Sequence, residues 1–246
     1  MPTSARSCRS CCELKLGCDR LNRLMLFTIS RPPLIVTVFL GMILGSLIGI
    51  ACLSASRALS VAARIYVDFF RGTPLLVQLF MIYFGLPALF KEIGVAFSLN
   101  QWTAAVIGLT LNSAAYIAEI VRGAIQSIEL GQREASESLG LGPVQTMRYV
   151  IFPQAFRRMI PPLSNEFISL LKDTSLVAVI GFEELFRRGQ LIVAQNYRAF
   201  EIYFSVALVY LILTLLSSQV FGQLERWMNP LERAKGRPIQ TSQAGS

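Results

Sequence analysis

Apolar and charged positions along this chain fall in long blocks. From Pro32 to Ser56 no side chain is charged. About 20 apolar residues cross the hydrocarbon core of a bilayer, so this run predicts a membrane-spanning helix. Gly41, Gly45 and Gly49 recur in it at four-residue intervals, a smooth stripe on which another helix packs closely in lipid. A second uncharged run, Gly72 to Phe90, opens on Gly72-Thr73-Pro74 and is closed by Lys91 and Glu92. Thr suits an N-cap there and Pro the first helical turn. The third run covers Ile93 to Ala118, and the fifth, Ile202 to Leu224, is uninterrupted. The fourth, Pro162 to Phe182, is broken by Glu166, Lys172 and Asp173, so it needs shielding by other helices. The pattern predicts an all-α, multi-pass membrane protein with about five transmembrane helices.

Between the third and fourth runs lies QREASESLGLGPVQTMRYVIFPQAFRRMIPP, Gln132 to Pro162. Arg133 to Leu139 predicts a short helix, rich in good formers. Gly140 and Gly142, followed by Pro143, stop it and turn the chain. A second helical stretch runs from Val144 toward Phe152, before Pro153. The result is a compact knob, larger than a connection needs, although an ordinary cytoplasmic loop has the same composition. The spacing adds more. Glu134-Ala135, Gly140 six residues after the Glu, an aliphatic Val150 and Pro153 nineteen after the Glu resemble the EAA loop of ABC-transporter permeases. FFRGTPLLVQLFMIYFGLP (Phe69 to Pro87), NSAAYIAEIVRG (Asn112 to Gly123) and KDTSL (Lys172 to Leu176) are similar to the polar amino-acid uptake branch. These blocks extend from Ile35 to Trp227. One departure is Ser136, where the motif usually has a second Ala.

The resemblance implies a permease subunit of an ATP-driven importer of polar amino acids in the bacterial cytoplasmic membrane. It implies that Glu134, Ala135, Gly140 and Pro153 shape coupling helices that seat in ABC ATPase subunits. It also implies a second permease subunit, identical or a sister chain, and a periplasmic or extracellular solute-binding protein.

Composition narrows the alternatives. A hydrophobic fraction of 53% and mean hydropathy of +0.53 are too apolar for an ordinary soluble domain. The net charge of +8 comes from residues spread through connecting segments, which argues for membrane loops and lipid and against nucleic acid. The chain has no His, which removes the commonest general base and zinc ligand, so a membrane-embedded enzyme starts without its usual groups. It has no G-x-x-x-x-G-K-[ST] loop, so ATP is expected on a separate ATPase subunit and no cofactor on this chain. An ion-coupled secondary transporter of small polar solutes is the alternative. It leaves the knob unexplained, and no internal repeat supports it. Cys8, Cys11, Cys12 and Cys18 do not repeat the C-x-x-C spacing of a zinc ribbon, so no metal site is expected.

Three places carry candidate transport chemistry. Thr73, at a helix start, either holds an anionic group such as a solute carboxylate on free N–H groups or caps its own helix. Asn112, Tyr116 and Glu119 follow at i, i+4 and i+7, on one helix face. Polar groups at membrane depth are costly, which favours a solute path along that face, whereas Glu119 beside Arg122 also suits the water interface. Asp173 and Ser175 lie on the fourth run and, with the Asn112–Glu119 face, suit the positive end of a solute. Two acids in an apolar setting, Glu119 and Asp173, favour a cation, so a basic amino acid is the preferred solute, the alternative being that helix-end N–H groups or an Arg hold Asp173.

Charge also sets orientation. Segment 57–71 carries three Arg against one Asp, and the knob and the tail are basic, whereas connections 91–92 and 183–201 balance acids against bases. The positive-inside rule therefore expects the knob and C-terminus in the cytoplasm, despite a basic N-terminal extension on the other side. The expected divisions are an extension over 1–31, disordered; a permease domain over 32–227, with the coupling loop at about 130–162; and a polar tail over 228–246.

Overall fold

A computed structural model describes residues 32–228; the extension with its four cysteines and the tail beyond Met228 lie outside them. The described residues are helical, without a strand. In order come α1 (Pro32–Cys52), α2 (Arg57–Gly72), α3 (Leu75–Phe80), a π-turn (Met81–Gly85), α4 (Leu86–Glu92) and α5 (Gln101–Gln126). Then follow α6 (Leu130–Ser138), α7 (Pro143–Gln145), a second π-turn (Thr146–Ile151) and α8 (Phe152–Asp173). A 3-10 segment (Thr174–Ile180), α9 (Leu185–Asn196) and α10 (Ala199–Met228) complete the chain.

Among the described residues four helices are long and apolar enough to cross a membrane: Leu34–Cys52, Leu75–Glu92, Gln101–Gln126 and Ala199–Met228. The fourth expected run is not among them. It belongs to α8, which carries Arg157, Arg158, Glu166, Lys172 and Asp173 and passes through Pro161 and Pro162. Of the four, α5 is enclosed: 72% of its apolar window is buried, against 22% for α1 and 11% for α10. The outward faces of α1 and α10 expose residues such as Phe39, Leu47, Leu215 and Val220, as contact with lipid requires.

The third run starts later than its apolar stretch. Gly94, with φ at +79°, follows α4, and Asn100 Oδ1 accepts from the Thr103 N–H at 2.7 Å, so Asn100 opens α5. At its other end α5 continues past Glu119 and Arg122, which pair along its surface.

The two π-turns share a cause. Each ends two residues before a proline, Pro87 or Pro153. A proline has no N–H for the carbonyl four residues back, and its ring crowds that carbonyl. Tyr83 and Tyr149 hold those carbonyls, and a widened turn at each accommodates the ring. Pro153 therefore lies inside a continuous helix, where a stop was expected.

The chain packs as two compact units. The first takes the described residues up to Gly41, with Gly72–Asn112 and Leu170–Ile212. Its core gathers Leu79, Ile82, Leu109, Leu170, Val177 and Phe182. The second takes Met42–Arg71, Ser113–Ser169 and the chain from Leu213. Ile117, Val121, Ile151 and Met159 form one of its clusters, and Cys52, Ala63, Val67 and Ala118 another. In this second unit Gly45 and Gly49 of the glycine stripe do what its spacing predicts. A Cβ on Gly45 would lie 2.8 Å from the Ala114 carbonyl oxygen and 2.7 Å from the Ile117 Cβ.

Candidate functional site

In the first unit Thr73 begins a polar chain. Gln78 Nε2 donates to the Thr73 hydroxyl at 2.7 Å and to its carbonyl at 3.0 Å. Asn112 Nδ2 in turn donates to Gln78 Oε1 at 3.0 Å. Gln78 and Asn112 are buried, at 2% and 7% exposure, so two amides face each other inside apolar helices. The expected cap is different: Pro74 holds the N-cap position of α3, without a side-chain cap bond, and Thr73 instead takes the Gln78 amide. A lone Gln in an apolar run gave no sequence signal for this role.

Tyr116 and Glu119 belong to the second unit. Glu119 Oε2 accepts from Arg122 Nε at 2.9 Å and Oε1 from Arg122 Nη2 at 2.5 Å, a two-pronged charge-assisted pair. Arg71 Nη1 approaches Glu119 Oε2 at 3.8 Å and lies 5.5 Å from the centre of the Tyr116 ring. The acid is thus held between two guanidinium groups, one of them the Arg122 that its spacing offered.

Asp173 ends α8 and Ser175 lies in the 3-10 segment, both half-buried. Asp173 makes no side-chain cap bond to the segment that follows. Nearby, Glu184 gives α9 its N-cap. Its Oε1 accepts from the Arg187 N–H at 2.6 Å and its Oε2 from the Tyr210 hydroxyl at 2.8 Å. Burial raises the Glu184 pKa above the usual glutamate range, against these donors and the Phe186 N–H, which lower it. Connection 183–201 read as a charge-balanced loop; α9 and its cap were hidden in it.

The knob is built as expected up to its turn. α6 carries Glu134 and Ala135, and Gly140 follows with φ at +79°, left-handed backbone that glycine adopts freely. Ser136 is buried and takes part in the closure. Its hydroxyl donates to the Arg133 carbonyl at 2.7 Å and lies 3.1 Å from the Thr146 hydroxyl, itself buried. Gln154 Nε2 donates to Gln132 Oε1 at 3.1 Å, joining α8 to α6 beyond Pro153. Leu139, Val144 and Tyr149 stand out from the knob at 82%, 79% and 65% exposure, an apolar surface on a polar loop.

The model of binding-protein-dependent transport system inner membrane components matches residues 24–230. The chain belongs to this family. It is a membrane permease of an ABC transport system, and the ion-coupled alternative has no support in it. Among binding-protein-dependent permeases, the glutamine transport system permease protein GlnP of Escherichia coli K12 is 47% identical over 191 residues, 78% of this chain and 85% of that protein. The arginine transport system permease protein ArtQ of Bacillus subtilis is 38% identical over 78% of this chain and 85% of its own length. A crystal structure of an amino acid ABC transporter with histidines superposes with a TM-score of 0.77 at 37% identity, covering 86% of this chain and 97% of that one.

Proposed function

We propose that this permease carries polar amino acids inward across the bacterial inner membrane, driven by ATP hydrolysis on separate ABC ATPase subunits. The reading includes a second permease subunit, an external solute-binding protein, five spans with α8 and the 3-10 segment supplying the fourth, and a cytoplasmic C-terminus. Glu134, Ala135, Gly140 and Pro153 shape the coupling knob. Thr73, Asn112, Tyr116, Glu119, Asp173 and Ser175 are the proposed path residues, and Gln78 joins them.

The observation that carries the reading is the buried chain Thr73–Gln78–Asn112. Amides in an apolar interior cost free energy unless paired, and a paired set can exchange partners with an incoming amino acid. The preference for a basic solute has lost half its support, since Glu119 is already neutralised by Arg71 and Arg122. A neutral polar amino acid fits better, in line with the glutamine named for GlnP.

Reconstitution in proteoliposomes with the partner ATPase and binding protein tests this. Labelled glutamine is expected to accumulate with ATP and not without it. Accumulation driven by an ion gradient alone overturns the proposal.

A further inference from the structure

Helix α2 has three faces rather than two. Ala63 and Val67 are buried at 8% and 3% exposure, in one cluster with Cys52 and Ala118. Arg57, Arg64, Asp68 and Arg71 follow at i, i+7, i+11 and i+14, a charged stripe with a net positive balance. Val61, Ile65 and Phe69, at i, i+4 and i+8, form a third face that is 48%, 64% and 49% exposed. An apolar face beside a basic stripe is the mark of a helix lying in a membrane interface. The chain fixes that position independently. Four residues, 53–56, join α2 to α1, and Thr73-Pro74 join it to the Leu75–Glu92 stretch that α3 opens, and both α1 and that stretch are long and apolar enough to cross the bilayer. Helix α2 is therefore tied to the membrane at both ends.

We propose that α2 binds anionic phospholipid, with acyl chains against Val61, Ile65 and Phe69 and headgroup phosphates beside Arg57 and Arg64. The occupant follows from charge and place. Arg71 is engaged with Glu119 and Tyr116. Arg57 and Arg64 are exposed, and the first turn of α2 contains no acidic side chain that would repel a phosphate. Juxtamembrane arginines are each worth about a fivefold preference for anionic over zwitterionic lipid. The proposal does not depend on the transported solute or on which side of the membrane α2 lies.

The test uses the full chain in nanodiscs, where both leaflets have one composition. Trp102→Phe and Trp227→Phe remove the native tryptophans, and Ile65→Trp places a probe on the exposed face. Quenching by brominated phosphatidylglycerol should show several-fold tighter association than quenching by brominated phosphatidylcholine. Arg57→Gln with Arg64→Gln should abolish that preference, with helical content unchanged. A control probe, Leu208→Trp on α10, should respond to both lipids alike. Equal quenching of the Ile65→Trp probe by both lipids, or a preference surviving loss of both arginines, overturns the proposal. So does absence of quenching at Ile65→Trp while the control is quenched, because protein, such as a second permease copy, would then cover the face.

Discussion

Gly49 of α1 lies against Ala118 of α5 so closely that a Cβ on it would be 2.8 Å from the Ala118 carbonyl oxygen and 2.8 Å from the Val121 Cβ. A backbone oxygen cannot rotate away as a side chain can, so any larger residue must separate the helices. Overpacking of this kind costs about 1–3 kcal/mol. Gly49→Val is expected to lower the thermal stability of the detergent-solubilised protein by several degrees. Gly123→Ala, with nothing within 4 Å of the added Cβ, should leave it unchanged.

The Gln78–Asn112 amide pair makes a second expectation. Gln78→Leu removes the acceptor of the Asn112 amide and the donor to Thr73, and losing these bonds inside an apolar interior costs about 1–3 kcal/mol. Gln78→Glu preserves the acceptor and most of the volume. Solute uptake in proteoliposomes should be reduced at least tenfold in the Leu variant. Unchanged uptake in a stable Leu variant removes Gln78 from the path.

At the knob, Gly140→Val forces a β-branched residue into left-handed backbone, at about 1–2 kcal/mol. No neighbour blocks the new side chain, so the effect is conformational rather than steric. The protein should insert normally while losing solute-stimulated ATP hydrolysis with its partner. Normal stimulation in a fully assembled variant removes the coupling role.

Orientation can be read chemically. A single cysteine at Gln145, which is exposed on the knob, should resist impermeant maleimide in intact cells and react once the membrane is opened. Labelling from outside reverses the proposed topology.

Glu184 gives a pH dependence with a defined sign. Its folded-state pKa is raised, chiefly by burial, so the folded protein holds the proton more tightly than the unfolded chain. Its contribution to stability is complete below the ordinary glutamate range and is lost as pH rises through the raised value. Hydrogen exchange at the first turn of α9 should accelerate over that interval. Glu184→Gln should flatten the response. Tyr210→Phe removes a donor that favours the carboxylate, so the transition should move to higher pH.

Much of this architecture was legible because certain residues tolerate few alternatives. Gly45 and Gly49 are needed where backbones nearly touch, and Gly140 where φ is positive; their spacing alone announced both. Thr73-Pro74 announced a helix start but not which group would satisfy Thr73, because Gln78 is an unremarkable polar residue five positions on. The start of α5 was obscured by Ile93, Val95 and Phe97, apolar residues that lie in a loop before Asn100. Pro153 misled in the opposite direction, since the adjacent π-turn carries the helix through it. Glu119 was placed correctly on its face, yet adjacency could not tell a solute from Arg71, forty-eight positions earlier.

The widened turn at Thr146–Ile151 has a mechanical consequence. It inserts one residue into the helix, so every side chain beyond it is rotated about 100° from the setting an unbroken α-helix would give. The direction in which Gln154 and Arg158 leave α8, toward Gln132 and Ser127, is thus encoded as a residue count. Shortening this turn by one residue would keep a helix and its composition while re-aiming the lever that joins the knob to the chain beyond it.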